Sequence, residues 1–390
     1  MNARIEQLAK ILDERGLEAA VLKLPENLVL FSGYWPRNGF SFVLADRSGR
    51  AALVVPAWEI EDAAHGSLAD IRTFPWGRLT DGDPWQNVSS VFRDLKAEFG
   101  ISDKAVIGVD NNAEAVVPAL CCGELLPPGR RSLEALDSAF GEGQRVELMP
   151  DIIALRMVKT ALEIERIEIV NKLAHSGLEL FSRLAGKPGM REIDIAAEVE
   201  SFVMKSGAGF GGRMRYARAV AQVSSGPERT ASGWVSGLVS GERVVQGGDF
   251  VMLEMGVMAD GYWSDLTRTV VAGQASELQA TMMAAVEEAQ AAAIALVRPG
   301  AIAMDVDAEA RRTIESRGLG ERFFHNLGHG TGIAYHDGGP FLSPSSGTVL
   351  KAGMIHSCEP GVYIEGVGGV RQEVNVLVTA DGARVLGRGR

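Results

Sequence analysis

The stretch from Gly248 to Gly273, GDFVMLEMGVMADGYWSDLTRTVVAG, restricts the possible folds of this chain more than any other. Its apolar and small residues alternate around glycines, which is the pattern of two antiparallel strands, and it carries Glu254 and Asp265 eleven residues apart. That interval is too long for one helical face. A hairpin turning between Gly256 and Gly261 instead brings the two carboxylates toward one point. Such a pair is costly to bury unless a positive charge lies between them. Further along, HNLGHGTGIAYHD offers His325, His329 and His336, HSCEPGVY offers Glu359, and RQEVNVLV places Arg371 and Glu373 two residues apart on one strand face. Four carboxylates and an imidazole form an oxygen-rich set suited to a pair of divalent cations. Mn²⁺ or Co²⁺ is favoured over tetrahedral Zn²⁺, and Fe²⁺ is also compatible.

The chain of 390 residues has room for two domains, and its 46% apolar and 23% charged composition is that of a soluble globular protein. A net charge of −11 disfavours nonspecific binding to nucleic acid or to an anionic membrane. The three cysteines, Cys121, Cys122 and Cys358, make no disulfide scaffold, and the amino-terminal residues contain no apolar run of signal or membrane length. A reducing cytoplasm is the expected location. Cys358 is expected to point away from the site and pack in the core.

Residues 1–150 read as a small mixed α/β domain, with helices over residues 3–16 and 83–99 and a strand hairpin turning at Asp46 to Gly49. PENLVLFSGY reads as a turn followed by an apolar segment. In the next loop Tyr34, with Trp35, Arg37 and Asn38, is either a surface or interdomain contact or a contribution to a substrate pocket. Glu147 to Ile153 reads as a last strand or a linker, and a long amphipathic helix follows over Leu155 to Glu179, with His175 partly exposed beside Glu179. Arg213, Arg215 and Arg218 form either a solvated strand edge or a clamp for a substrate carboxylate, which Trp234, in a flexible loop over residues 224–237, could cap. Thr267 and Arg268 are candidates for orienting the ligands.

The motifs GHGTG, CEPG and RQE, in this order behind the hairpin, resemble those of the creatinase, Xaa-Pro aminopeptidase, prolidase and methionine aminopeptidase superfamily, M24. The resemblance covers nearly the whole chain. It implies an α+β architecture, with a pita-bread catalytic domain over residues 158–390 behind a smaller creatinase-type α/β domain. It also implies that Glu254 holds one metal, that Asp265 and Glu373 bridge two, and that His329 and Glu359 hold the second. Glu359 is then the proton shuttle, His325 and His336 contact the substrate and the tetrahedral intermediate, and Arg371 binds substrate. A homodimer acting on a small peptide or amide-like substrate is expected, with no nucleic-acid or membrane partner. Two departures stand out: glutamate at 254 where the family has aspartate, and Ser236 or Gly237 where it has a substrate histidine. Xaa-Pro aminopeptidase or dipeptidase activity is the leading expectation. The alternatives are a hydrolase or lyase of a small non-peptide metabolite, and a silent binding module.

Overall fold

The structure, a computed structural model, describes residues 2–37, 40–111, 129–141, 145–235 and 239–388. Asn38, the segment 113–124 with Cys121 and Cys122, and Ser236 and Gly237 lie outside them. The described residues divide into two compact units, one ending at Arg156 and the other beginning at Met157.

The first unit is built on strands β1 (Ala19–Leu22), β2 (Phe42–Asp46), β3 (Ala51–Pro56), β4 (Ile71–Phe74), β5 (Ile107–Val109) and β6 (Arg145–Glu147), in the sheet order β4-β3-β2-β1-β5-β6. The β1–β2 and β2–β3 pairs are antiparallel and the outer pairs parallel, so this is a mixed sheet. Two readings from sequence change here. Pro25–Ser32 is a helix, with proline in its first turn and Gly33 at φ 67° closing it. Met149–Arg156 is also a helix rather than a strand or linker.

The second unit contains three sheets. Strands β7 (Ala217–Ser225), β8 (Phe250–Ala259) and β9 (Tyr262–Val271) form an antiparallel sheet. Strands β10 (Gly328–Gly330), β11 (Asp337–Leu342), β12 (Ile355–Cys358), β15 (Val374–Val378) and β16 (Ala383–Val385) form a second, in the order β11-β10-β12-β15-β16. Between them in sequence, β13 (Gly361–Ile364) and β14 (Gly368–Arg371) pair as a hairpin. The long helix runs over Ala161–Ala185, from a capping box of Thr160 and Glu163. It begins later than the apolar pattern suggests because Val158 is taken into a bridge with Met354. Part of the expected loop after β7 is the short helix Gly226–Ala231.

The β8–β9 hairpin turns at Asp260-Gly261, not across Gly256 to Gly261. Both turn residues have positive φ, 48° and 88°, the geometry that suits a two-residue connection between right-twisted strands. Glu254 therefore lies opposite Thr267, and Asp265 opposite Gly256, all on one face. The other face of this sheet packs on helices: Gly177 of the long helix lies against Met255, where a Cβ would come 3.2 Å from its Cε. Cys358 is fully buried in the core, as expected.

Candidate metal centre

The carboxylate-bearing face of β8–β9 meets the ends of β10, β12, β14 and β15. His329 sits in β10 between two glycines that cannot be replaced. A Cβ at Gly328 would strike the Ser357 carbonyl, and one at Gly330 the Gly339 carbonyl. The backbone is thereby drawn close enough for the ring to reach across. His329 Nδ1 donates to the Gly330 carbonyl at 3.0 Å, which leaves Nε2 facing Asp265 Oδ2 at 3.4 Å and Glu359 Oε1 at 3.3 Å. His336 Nε2 lies 3.6 Å from the same Asp265 oxygen. Two overlapping ligand groups result, Asp265–His329–His336 and His329–Glu359–Glu373.

These carboxylates are held in place by Thr267, which the sequence offered, and by Asn375 and Ser357, which had little signal in it. Asn375 is fully buried, and its amide both accepts from the Asp265 N–H (3.0 Å) and donates to the Asp265 carbonyl (2.8 Å), taking the place of a strand partner. Thr267 Oγ1 donates to Glu373 Oε2 at 2.7 Å, as expected of an orienting group, whereas Arg268 points to the opposite face of β9. Ser357 Oγ donates to Glu359 Oε1 at 2.9 Å and accepts from the His329 N–H at 3.0 Å. Asparagine and serine in strands are common, and only their partners distinguish Asn375 and Ser357.

The electrostatics call for a cation. Asp265 Oδ1 and Glu373 Oε1 are buried without a hydrogen-bond partner. Burial raises the Glu373 carboxyl well above its ordinary range, and Asp265 and Glu359 raise it further. Burial likewise lifts Asp265 to about 6. Burial disfavours a charged His329, but Asp265 and Glu359 outweigh it and hold the ring protonated, so the imidazolium serves as the nearest positive charge. Three carboxylates around an imidazole nitrogen, two of them with a buried oxygen that has no hydrogen-bond partner, are a donor set that fits divalent metal.

Glu254 belongs to neither ligand group. Its Oε2 is paired with the Arg371 guanidinium and its Oε1 accepts from the Tyr335 hydroxyl at 3.1 Å. Gly256 makes room for that tyrosine, since a Cβ there would lie 2.8 Å from the ring. Arg371 is buried and also donates to Thr267 Oγ1 (3.1 Å), the Gly233 carbonyl (2.6 Å) and the Tyr363 hydroxyl (3.3 Å). His325 lies one shell out: Nδ1 bonds the Asn326 carbonyl and Nε2 accepts from the Tyr363 hydroxyl at 3.0 Å. Trp234 packs edge-on to Phe324 at 5.3 Å, and Phe324 reaches Tyr363 at 5.6 Å, forming an aromatic rim beside Arg371.

One expected substrate contact within this unit is not brought to the centre. Arg218 pairs with Met258, four residues or about 13 Å along the strand from the level of Glu254, and donates to the Ala217 carbonyl. The Arg215 guanidinium lies 3.8 Å from Asp260, whose carboxylate also accepts from the Arg215 backbone N–H at 2.9 Å. Tyr34 is fully buried in the first unit, so it offers no open surface to a substrate. His175, expected to be partly exposed, is buried and bonds the Leu386 carbonyl at 3.1 Å.

Residues 165–380 match the model of metallopeptidase family M24, and residues 4–158 that of the creatinase/prolidase N-terminal domain. The chain belongs to family M24. Within it, the Xaa-Pro dipeptidase of Pyrococcus furiosus is 30% identical over 99% of this chain and 98% of that protein. Among solved M24 structures, the Xaa-Pro dipeptidase from Bacillus anthracis superposes with a TM-score of 0.79 at 27% identity, covering 100% of this chain and 98% of that one. The prolidase from Pyrococcus horikoshii OT3 gives 0.78 at 26%, covering 100% and 99%. The N-terminal domain of a FACT complex subunit from chickpea gives 0.73 at 15% identity over 100% of this chain and 96% of that one, a likeness of fold alone. The creatinase-like α/β unit and the pita-bread catalytic fold are those of the family, and the chain is a metal-dependent hydrolase of amide or other C–N bonds. Among the described residues, no helix is long and apolar enough to cross a membrane.

Proposed function

We propose that this chain is an Xaa-Pro dipeptidase or aminopeptidase that works with two divalent ions, Mn²⁺ favoured, as a cytoplasmic homodimer. The observation that carries the reading is the buried carboxylate cluster Asp265, Glu359 and Glu373 around His329, beside a rim of Trp234, Phe324 and Tyr363. Asp265, His329, Glu359 and Glu373 would hold the ions. Glu254 would join them on exchanging Arg371 for metal. Bound metal supplies a Lewis acid for the scissile carbonyl and lowers the pKa of water.

The chain's own groups do the rest. Glu359, beside the buried Arg371 guanidinium, accepts the proton of the attacking water and returns it to the leaving nitrogen. His336, held neutral by burial, donates to the developing oxyanion. Tyr363, fixed between His325 and Arg371, and the half-exposed Trp234 and Phe324 form an apolar wall that suits a pyrrolidine ring. The test is a turnover screen of the Mn²⁺-loaded protein against Xaa-Pro dipeptides, longer Xaa-Pro peptides and small N-acyl and amidino compounds. Hydrolysis confined to the last group would replace the peptidase reading with that of a small-metabolite enzyme. No turnover of any substrate despite stoichiometric metal would point to a binding module.

A further inference from the structure

A cavity of about 820 Å³ lies on the opposite side of the β9 strand from the metal centre, between the long helix that ends at Ala185 and the helix Glu277–Leu296. Its polar lining includes Arg268 and Arg388, with Glu287, Gln290 and Gln372. Met283 and Ile294 supply an apolar side. Arg268 projects into it because it alternates with Thr267, which faces the metal ligands.

We propose that this cavity is a binding site for a small organic monocarboxylate, with its oxyanion on Arg268 and its short apolar body along Met283 and Ile294. Among the described residues Arg268 has no ion-pair or hydrogen-bond partner for its guanidinium, although it is only partly exposed. Burial lowers its pKa, and Arg388 adds to that by like-charge repulsion. Glu179 and Glu287 act in the other direction and do not restore it. The guanidinium has no partner of its own among the described residues of the cavity, and a carboxylate placed on it supplies an opposite charge with directed hydrogen bonds. A free inorganic oxyanion satisfies the arginines equally well but leaves the apolar side unused.

The site is connected to the metal centre through one side chain. Gln290 Nε2 donates to the carbonyls of Cys358 (2.9 Å) and Gln372 (2.7 Å), the residues immediately before the candidate ligands Glu359 and Glu373. Gln372 Nε2 in turn donates to the Thr269 carbonyl at 3.0 Å. A ligand that draws on either amide acts on the strand ends that carry those carboxylates, so occupancy is expected to alter metal affinity.

The test is calorimetric titration of the metal-loaded protein with acetate, butyrate, hexanoate and sulfate, compared with Arg268→Gln and with Ala291→Phe, which fills the cavity mouth from the exposed helix face. Expected is one saturable carboxylate per chain, with affinity rising with chain length and falling about tenfold in Arg268→Gln, the loss of one charge-assisted contact. Carboxylate held only by the metal ions would be indifferent to both substitutions, and that result overturns the proposal. Absence of saturable binding overturns it too, as does sulfate binding as tightly as hexanoate, which would make the site one for inorganic oxyanions.

Discussion

Replacing Glu254 with alanine should destabilise the metal-free protein through Arg371. The pair is buried on both sides, with side chains 14% and 5% exposed, so solvent screens it little. Removing one partner of such a pair costs about 3–5 kcal/mol because the other charge stays buried. The low end of this range applies here: Arg371 keeps hydrogen bonds to Thr267, Gly233 and Tyr363, and Glu359 Oε2 lies 3.9 Å from its Nε. About 3 kcal/mol is therefore expected for Glu254→Ala, and Arg371→Met should cost a similar amount by stranding Glu254. The double variant should cost much less than the sum, with a coupling of about 2–3 kcal/mol. Urea unfolding of the four metal-free proteins measures it. Repeating the cycle with saturating Mn²⁺ tests whether Glu254 exchanges arginine for metal, in which case the coupling collapses and Glu254→Ala loses one ion. Additive costs in the metal-free protein, within about 0.5 kcal/mol, would refute the pairing and with it the position assigned to Glu254.

Asn375→Ala should weaken Mn²⁺ binding about tenfold in a chelator competition, because the Asp265 backbone loses both bonds that fix it. Unchanged metal affinity would reduce Asn375 to a packing residue. Lys159→Met removes the cation 3.2 Å from buried Asp337 and should cost about 3–5 kcal/mol in urea, most of it recovered in Lys159→Met with Asp337→Asn. His175 supplies a pH dependence. Burial, reinforced by Arg388 and Arg268, lowers its pKa from 6.5 to about 4, so the folded state binds fewer protons than the unfolded one. Its contribution is complete above pH 6.5 and is lost as pH falls toward about 4, about 3 kcal/mol in all. His175→Gln should flatten the stability profile in that window, and parallel profiles for the two proteins would contradict the assignment.

The sequence by itself determined the ligand chemistry and its order along the chain. Alternation in strands puts Asp265 and Thr267 on one face and Arg268 on the other whatever the fold, and the glycines around His329 mark a backbone that comes close to its neighbours. The hairpin turn was also legible, because Asp260-Gly261 is the stronger signal than the Gly256 to Gly261 span, and Gly256 proved to be a strand residue beneath Tyr335. Pairings between residues far apart in sequence left no such trace. Arg371 reaches Glu254 across 117 residues, Asn375 reaches Asp265 across 110 and Gln290 reaches Cys358 across 68. Periodicity records which way a side chain points, not what waits there. The place of Arg218 was hidden for the same reason: only the register of β7 against β8 puts it opposite Met258, near the hairpin turn and about 13 Å from the level of Glu254. Only the tertiary structure decides which buried charges meet, because that depends on how separate sheets are brought together.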